Sequence, residues 1–180
     1  QTFFTYQDEI DYLVEHKKRN NLIKNLVRDL DGNTLVLFNY VERHGAPLYE
    51  SINNSIGDTR KVFFVHGGVD TEEREEIRRI TEREKDAVII ASYGTFSTGI
   101  NIKKLHNVVF ASPSKSRVRN LQSIGRVLRK GEGKDLATLY DIADDISEKP
   151  DKNYTLKHLE ERINIYQEEN FNYEVIKIKV

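Results

Sequence analysis

The sequence predicts an α/β fold, in which a parallel sheet carries helices on both faces. Two observations lead to this prediction. Short, near-continuously apolar stretches such as "TLVLFN" (34–39) have the pattern of strands buried on both faces. The stretches between them, such as "HKKRNNLIKNLVRDL" (16–30), repeat apolar residues at helical spacing. Short strands that alternate with helices are typical of βαβ units with right-handed crossovers.

Turn and capping signals separate the predicted elements. The helix at 16–30 is followed by the turn signal "DGN", and Pro47 suits the first turn of a helix. Asp70 with Glu73 fits the capping arrangement of a helix start. In chain order the predicted elements are a helix at 16–30, a strand at 34–39, a helix from Ala46, a strand at 61–65, a helix at 71–84, strands at 87–92 and 107–112, a short helix within 121–133, a strand at 136–142, a helix at 154–170 and an alternating edge strand at 173–180.

Length and composition indicate one domain with a sizeable core. The chain has 180 residues, of which 38% are hydrophobic and 32% charged. Because it has no cysteine, disulfides and thiolate metal sites are excluded, and the five histidines show no metal-ligand spacing. No apolar run approaches a membrane span, and no signal-peptide pattern is present. We therefore expect a cytoplasmic protein without metal ligands or a membrane partner.

Basic residues are concentrated in one segment. Residues 103–134 contain nine basic residues and one acidic residue, although the whole chain has a formal net charge of −1. Such asymmetry marks a local anion-binding surface, and a solvated charged face is the alternative. The bases flank Gly125 and interleave with apolar helix positions, which favours binding.

The loops after the strands are candidates for ligand binding, because ligands in open parallel sheets gather at the carboxyl ends of the strands. These loops follow Phe38, Val65, Ser92 and Ala111. The third, "ASYGTFSTGINIKKL" (91–105), is rich in small residues whose backbone N–H groups can face a phosphate. By itself such a cluster is more often only a turn.

The short helix within "LQSIGRVLRKGEG" has one apolar and one polar stripe. The two stripes are Leu121, Ile124 and Leu128 on one side and Gln122, Arg126 and Arg129 on the other. Arginine presents a planar fork of donors that binds phosphate oxygens in fixed geometry. Two arginines one turn apart can hold two oxygens of a transferring phosphoryl group, whereas the alternative is a pair of surface salt bridges.

Together these stretches resemble superfamily 2 helicases. "QSIGRVLRK" (122–130) looks like motif VI, "ASYGTFSTGIN" (91–101) is similar to motif V, and "TLVLFNYVERHGAPLYE" (34–50) is similar to motif IV. Their order and spacing match the second RecA-like domain of these enzymes, and "VFFVHGGVDTEEREEI" resembles the segment between motifs IV and V. Within the superfamily, the stretches are most like those of phage recombination and branch-migration helicases. The resemblance implies a RecA-like helicase C-terminal domain.

The resemblance implies roles for individual residues in an ATP site. Arg129 would be the arginine finger on the γ-phosphate, Arg126 would hold the phosphates or the partner domain, and Gln122 would orient both. Gly99 and Asn101 would line the nucleotide side of motif V. Many family members carry aspartate where Asn101 stands, and the amide can still hydrogen-bond a ribose hydroxyl.

The resemblance also implies contacts with the backbone of DNA or RNA, without sequence preference. The residues implied are Asn39, His66, Gly67, Ser92, Tyr93, Gly94 and Thr95. The basic segment described above adds Lys115 and Arg119 as candidates for the same contact.

The sequence lacks the phosphate-binding half of an ATPase. It has no G-x-x-x-x-G-K-[ST] and no D-E-x-[HD] motif. The resemblance therefore implies that ATP with Mg²⁺ is shared with a preceding RecA-like domain carrying Walker A and DExH motifs, and that this chain alone is inactive. The absence of methionine, even at position 1, is also expected of a piece of a longer protein. We assign 1–15 to a linker or the end of a preceding domain, 16–150 to the helicase domain, and 151–180 to a closing helix and edge strand.

Several polar side chains have simpler interpretations. The acidic cluster in "YDIADDI" is expected to be a solvated loop rather than a magnesium site, two histidines are expected to be loop residues, and one tyrosine is expected to pack the closing helix. These residues are Asp141, Asp144, Asp145, His44, His66 and Tyr166.

Three functions are compatible with these observations. The leading candidate is the second motor domain of an ATP-dependent DNA helicase. The second is a non-catalytic helicase-like module that recruits nucleic acid or protein, and the set Gln122, Arg126 and Arg129 argues against it. The third is half of a restriction-type translocase that moves on duplex DNA, which the sequence does not separate from the first.

Overall fold

Five short strands form one sheet, and all of them are parallel. The computed structural model describes residues 5–97, 104–112, 137–147 and 153–180. Its elements are α1 (Tyr6–Glu15), α2 (Lys17–Asp29), β1 (Thr34–Phe38), a π-helical turn (Val41–Gly45), α3 (Ala46–Ile56), β2 (Val62–Val65), α4 (Thr71–Arg83), β3 (Val88–Ser92), α5 (Tyr93–Ser97), β4 (Asn107–Phe110), β5 (Thr138–Asp141) and α6 (Tyr154–Glu168). The strand order is β2-β3-β1-β4-β5, so the predicted parallel sheet is confirmed.

The two faces of the sheet are covered by different helices. Alternate residues of β1 point to opposite faces, as the two-residue period of a strand requires. Leu35 and Leu37 belong to a core cluster with Ile77 of α4, and Val36 and Phe38 belong to a second cluster. Residues of α2 and α3 complete this second cluster, namely Ile23, Val27, Leu48 and Ile52. Helices therefore lie on both faces, which explains why β1 is buried at every position.

The residues predicted to begin two of the helices are confirmed. The Asp70 carboxylate accepts a hydrogen bond from the backbone N–H of Glu73 at 2.8 Å and caps α4. Pro47 lies in the first turn of α3, where its missing N–H is harmless. Each signal is local, because it depends on residues within one helical turn.

Residues Tyr6–Glu15 form a helix that packs on the rest of the molecule. Thr5 and Asp8 form a capping box at its start, and the buried residues Ile10, Leu13 and Val14 hold it against the core. The Glu9 carboxylate accepts the backbone N–H at the start of α6 at 2.9 Å. The segment expected to be a linker or the end of a preceding domain is therefore joined to this body.

The predicted edge strand at 173–180 is wrong. The structure assigns no strand to this segment, and within the described ranges β5 is the last strand of the sheet. Its alternating apolar residues are exposed, with Ile176 at 70% and Ile178 at 60%. An alternating pattern gives a segment the propensity for a strand, but a strand also needs an open edge in register beside it.

Candidate functional site

Four loops that follow strands meet at one edge of the sheet. The register pairs Val65 of β2 with Ala91 of β3, and Phe38 of β1 with Ser92 of β3. Leu37 also pairs with Phe110 of β4. The loops singled out in the sequence therefore begin side by side at the carboxyl edge, as predicted for ligand-binding loops of a parallel sheet.

The turn after β3 is held by its own hydroxyl groups. Ser92 Oγ accepts the backbone N–H of Thr95 at 3.2 Å and lies 2.6 Å from Thr95 Oγ1. Tyr93 and Thr95 are buried, whereas Gly94 is exposed and no atom would meet a Cβ there within 4 Å. The Tyr93 ring packs edge-on against Phe110. Any contact of these residues with a nucleic-acid backbone is therefore left to the main chain and to Ser92.

Asn39 and His66 begin the neighbouring loops at the same edge. Asn39 is exposed, and its backbone N–H donates to Ser112 Oγ at 3.1 Å. The half-buried His66 ring is tilted against that of Phe64, and its Nδ1 accepts the N–H of Gly68 at 3.1 Å. The next residue, Gly67, is exposed and faces open space. Asn39 and Gly67 thus present accessible surface beside the β3 turn.

A fully buried histidine lies beneath these loops. His44 Nδ1 is 2.6 Å from Ser112 Oγ, and its Nε2 is 2.9 Å from Asn20 Oδ1. Burial, together with the nearby positive charge of Arg19, lowers the pKa of His44 to about 3. The expectation that His44 is an ordinary loop histidine is therefore wrong. Its partners, Asn20 of α2 and Ser112 after β4, are distant from it in sequence.

An ion pair lies under the end of β4. Arg19 of α2 donates to both carboxylate oxygens of Asp144 at 2.7 and 3.0 Å, and to the carbonyl oxygen of Ala111 at 2.6 Å. The side chain of Arg19 is 2% exposed and that of Asp144 is 12% exposed. The interpretation of Asp144 as part of a solvated loop is wrong, because a buried cation pairs with it.

A second buried ion pair fastens α6 to β5. Arg162 donates to the two carboxylate oxygens of Asp141 at 2.6 and 3.0 Å, and the Tyr166 hydroxyl donates to the same carboxylate at 2.6 Å. Burial opposes the charge of Arg162, but the Asp141 carboxylate outweighs burial and raises the pKa of the guanidinium above its ordinary value. Asp141 is thus structural, and the prediction that Tyr166 packs the closing helix is confirmed.

The remaining predicted site residues lie outside the described residues. They are Gly99, Asn101, Lys115, Arg119, Gln122, Arg126 and Arg129. Of the polar clusters that the structure does describe, none groups three or more histidine or acidic residues in a way that could hold a metal ion. Similarly, no helix in the described part of the chain is long and apolar enough to cross a membrane.

The fold and the strand-end loops agree with the comparison with known families. Residues 17–131 match the helicase conserved C-terminal domain, and the chain belongs to this family. The resemblance of the chain to superfamily 2 helicases is thereby confirmed at the level of the family.

Among individual proteins, the chain is similar to a phage helicase. It is 42% identical over 182 aligned positions to the ATP-dependent DNA helicase uvsW of Enterobacteria phage T4, a match that covers 94% of this chain and 36% of that protein. The crystal structure of T4 UvsW superimposes with a TM-score of 0.79 at 40% identity over 95% of this chain. The chain thus spans about a third of the length of the relative it matches. The likeness to a phage helicase seen in the sequence is confirmed.

More distant structures share the fold alone. The C-terminal domain of the DEAD-box protein Dbp5 has a TM-score of 0.63 at 15% identity, and the match covers 86% of this chain and 82% of that domain. The five-stranded parallel sheet is therefore the RecA-like sheet of helicase C-terminal domains, as the resemblance implied.

Proposed function

We propose that this chain is the second motor domain of an ATP-dependent DNA helicase, and that it completes an ATP site whose other half is a preceding RecA-like domain. That domain would carry the Walker A and DExH motifs and therefore the phosphate cradle and the Mg²⁺ ligand. The observation that carries the proposal is the meeting of four strand-end loops at one edge, in a chain of the helicase C-terminal family. The similarity to an ATP-dependent DNA helicase supports the choice of reaction.

Nucleic acid binds at the carboxyl edge in this proposal. Asn39, Gly67 and Gly94 are exposed there within the loops of three adjacent strands. Small residues and open backbone suit contact with phosphates, and such contacts position a strand without reading its sequence. Lys115 and Arg119 of the basic segment would supply positive charge for contact with phosphates, and Ser92 and His66 would complete the set. The nucleic acid is DNA, by similarity to the phage enzyme.

ATP with Mg²⁺ binds where the two motor domains meet. Gly99 and Asn101 would line the nucleotide, with the Asn101 amide on a ribose hydroxyl. Arg126 would hold the phosphates and Gln122 would orient it. Arg129 would neutralise the charge that spreads over the γ-phosphoryl oxygens as the bond to the leaving group breaks. Since the phosphate cradle lies elsewhere, the isolated chain is not expected to hydrolyse ATP. The protein would act in the cytoplasm. For an enzyme encoded by a phage, this is the cytoplasm of the host cell.

The proposal is tested by replacing the arginine finger in the full-length protein that contains this chain. We expect Arg129→Ala to lower DNA-stimulated ATP turnover by about 10³-fold or more, because positioned arginines contribute gains of this order. Arg129→Lys should be nearly as damaging, since a lysine ammonium cannot reproduce the fork of donors. Nucleotide affinity should change less than turnover.

Arg79→Ala is the matched control, since Arg79 is an exposed arginine of α4 that pairs with Glu76 at 3.4 Å. It should leave turnover at the wild-type level. Wild-type turnover in Arg129→Ala would contradict the proposal and favour a non-catalytic binding module. An assay of strand separation beside one of translocation on duplex DNA then distinguishes a helicase from a duplex translocase.

A further inference from the structure

Ser112 is the point at which three strand ends are joined. It is fully buried and directly follows β4 and Ala111. Its hydroxyl accepts the backbone N–H of Asn39, which follows β1. Its carbonyl oxygen accepts the hydroxyl of Tyr93, which follows β3, at 3.3 Å. The chain then continues into 113–136, the segment that carries Arg126 and Arg129. Ser112 therefore touches two of the three loops proposed to meet nucleic acid, and the chain that follows it carries the arginines proposed to meet ATP.

The hydrogen-bond directions around Ser112 are determined by its neighbours. The amide nitrogen of Asn20 donates to the carbonyl oxygen of Val14 at 3.0 Å, so the amide oxygen faces His44. An oxygen can only accept, and Nε2 of His44 therefore carries the ring proton. With a neutral ring, Nδ1 has a lone pair and accepts the hydroxyl proton of Ser112. The Ser112 hydroxyl thus donates to His44 and accepts from Asn39, and both partners are required.

The surroundings of Ser112 leave little room for adjustment. Gly45 lets the π-helical turn approach β1, because a Cβ at this position would lie 2.5 Å from Cζ of Phe38. Arg19, which forms an ion pair with Asp144, donates a hydrogen bond to the carbonyl oxygen of Ala111 next to Ser112. A displacement of the β1 or β3 loop therefore either carries Ser112 with it or breaks one of these buried hydrogen bonds, which is costly.

We propose that Ser112, oriented by His44, is a positioning residue that couples nucleic-acid contact at the ends of β1 and β3 to ATP hydrolysis. This inference rests on the proposed function. Nucleic acid that moves Asn39 or Tyr93 moves Ser112 through the hydrogen bonds of its hydroxyl and its carbonyl oxygen. The chain that follows Ser112 carries Arg126 and Arg129. Ser112 and His44 themselves touch neither ligand.

Two substitutions of the same histidine separate coupling from a merely structural role. His44→Asn places an amide oxygen near the position of Nδ1, so it keeps an acceptor for Ser112 and loses the donor to Asn20. His44→Gln reaches the position of Nε2, so it keeps the donor to Asn20 and loses the acceptor for Ser112. Each variant deletes one ring hydrogen bond, and their thermal melts should be similar. Ser112→Ala removes the hydroxyl directly with one atom deleted.

The experiment measures steady-state ATP turnover of the full-length protein with and without a saturating oligonucleotide of mixed sequence, below the melting temperature of every variant. We expect Ser112→Ala and His44→Gln to lose about fivefold or more of the DNA stimulation while DNA-free turnover and DNA affinity are unchanged, in the range of typical coupling energies. His44→Asn should keep the wild-type stimulation.

Three results would overturn the inference. They are retention of full stimulation in both Ser112→Ala and His44→Gln, equal losses in DNA-free and DNA-stimulated turnover, and equal stimulation in the two His44 variants. Arg129→Ala in the same assay identifies which idea has failed. If it abolishes turnover while the Ser112 and His44 variants behave as wild type, only the coupling is wrong. If it leaves turnover intact, or if the wild type shows no stimulation, the proposed function fails as well.

Discussion

The amino edge and the carboxyl edge of the sheet hold their buried polar groups in different ways. At the amino edge, the Asn33 amide nitrogen donates to the carbonyl oxygens of Thr81, Glu84 and Lys104 at 2.9 to 3.1 Å. Its amide oxygen accepts the N–H of Ala87 at 2.8 Å. One neutral side chain therefore ties together main-chain groups of three segments. No partner in this set can change its charge.

At the carboxyl edge the buried partners are mainly other side chains, and several are ionisable. His44 bridges Asn20 and Ser112, and Arg19 pairs with Asp144. These contacts lie directly beneath exposed loop residues such as Asn39. The comparison indicates that the buried contacts of the amino edge serve stability. The carboxyl edge combines tightly packed buried residues with an accessible surface of loop residues above them. Substitutions at the two edges should accordingly affect different properties.

The largest effect on stability is expected at the amino edge. Asn33→Ala removes the hydrogen bonds to several buried main-chain groups, and we expect it to lower the free energy of unfolding by about 3 to 4 kcal/mol. Turnover per folded molecule should stay at the wild-type level. Urea unfolding measures the first quantity and a DNA-stimulated ATPase assay the second.

The exposed Asn54 of α3 provides the control, because Asn54→Ala removes no buried contact. A stable Asn33→Ala protein with impaired DNA stimulation of ATP turnover would contradict this division of roles, since the amino edge would then take part in function.

An intermediate effect is expected from crowding under the carboxyl edge. Gly45→Ala introduces a Cβ 2.5 Å from Cζ of Phe38, and we expect it to cost about 1 to 3 kcal/mol by overpacking. Gly67→Ala is the matched control, as nothing lies within 4 Å of a Cβ there. Thermal melts of the two variants compare the packing of the buried residues beneath the carboxyl edge with that of its exposed loop. Equal melting temperatures would show that the buried residues around Gly45 are no more tightly packed than the loop at Gly67.

The smallest effect is expected from pH. Burial lowers the folded-state pKa of His44 to about 3, whereas its unfolded-state value is about 6.5. Below pH 6.5 the unfolded state takes up a proton that the folded state does not, so the contribution of His44 to stability falls as the pH falls towards 3. His44→Gln cannot take up this proton.

The stability difference between wild type and His44→Gln should therefore shift by about 1.5 kcal/mol against the wild type from pH 6.5 to pH 5. Urea unfolding at the two pH values measures the shift. A constant difference would mean that His44 titrates alike in both states and that the carboxyl edge is open to solvent.

Local patterns in the sequence were sufficient for much of the fold and for the place of the candidate site. The apolar run of β1, the Asp70 cap and the position of Pro47 each depend on neighbouring residues, and the structure confirms all three. Since parallel strands align their carboxyl ends, predicting the strands also predicted which loops meet. The helix α1 was missed although Ile10, Leu13 and Val14 already form a helical stripe, so a signal was present in the sequence.

Only the tertiary structure decided which polar residues are buried and what they bind. Arg19 and Asp144 are 125 positions apart, and nothing near either residue distinguishes it from the many charged residues on the surface. Ser112 and His44 are separated by 68 positions. The alternating segment 173–180 has the pattern of a strand but no partner in the described sheet. Periodicity and capping are short-range and can be read along the chain, whereas strand pairing and the burial of a charge depend on groups that only folding brings together.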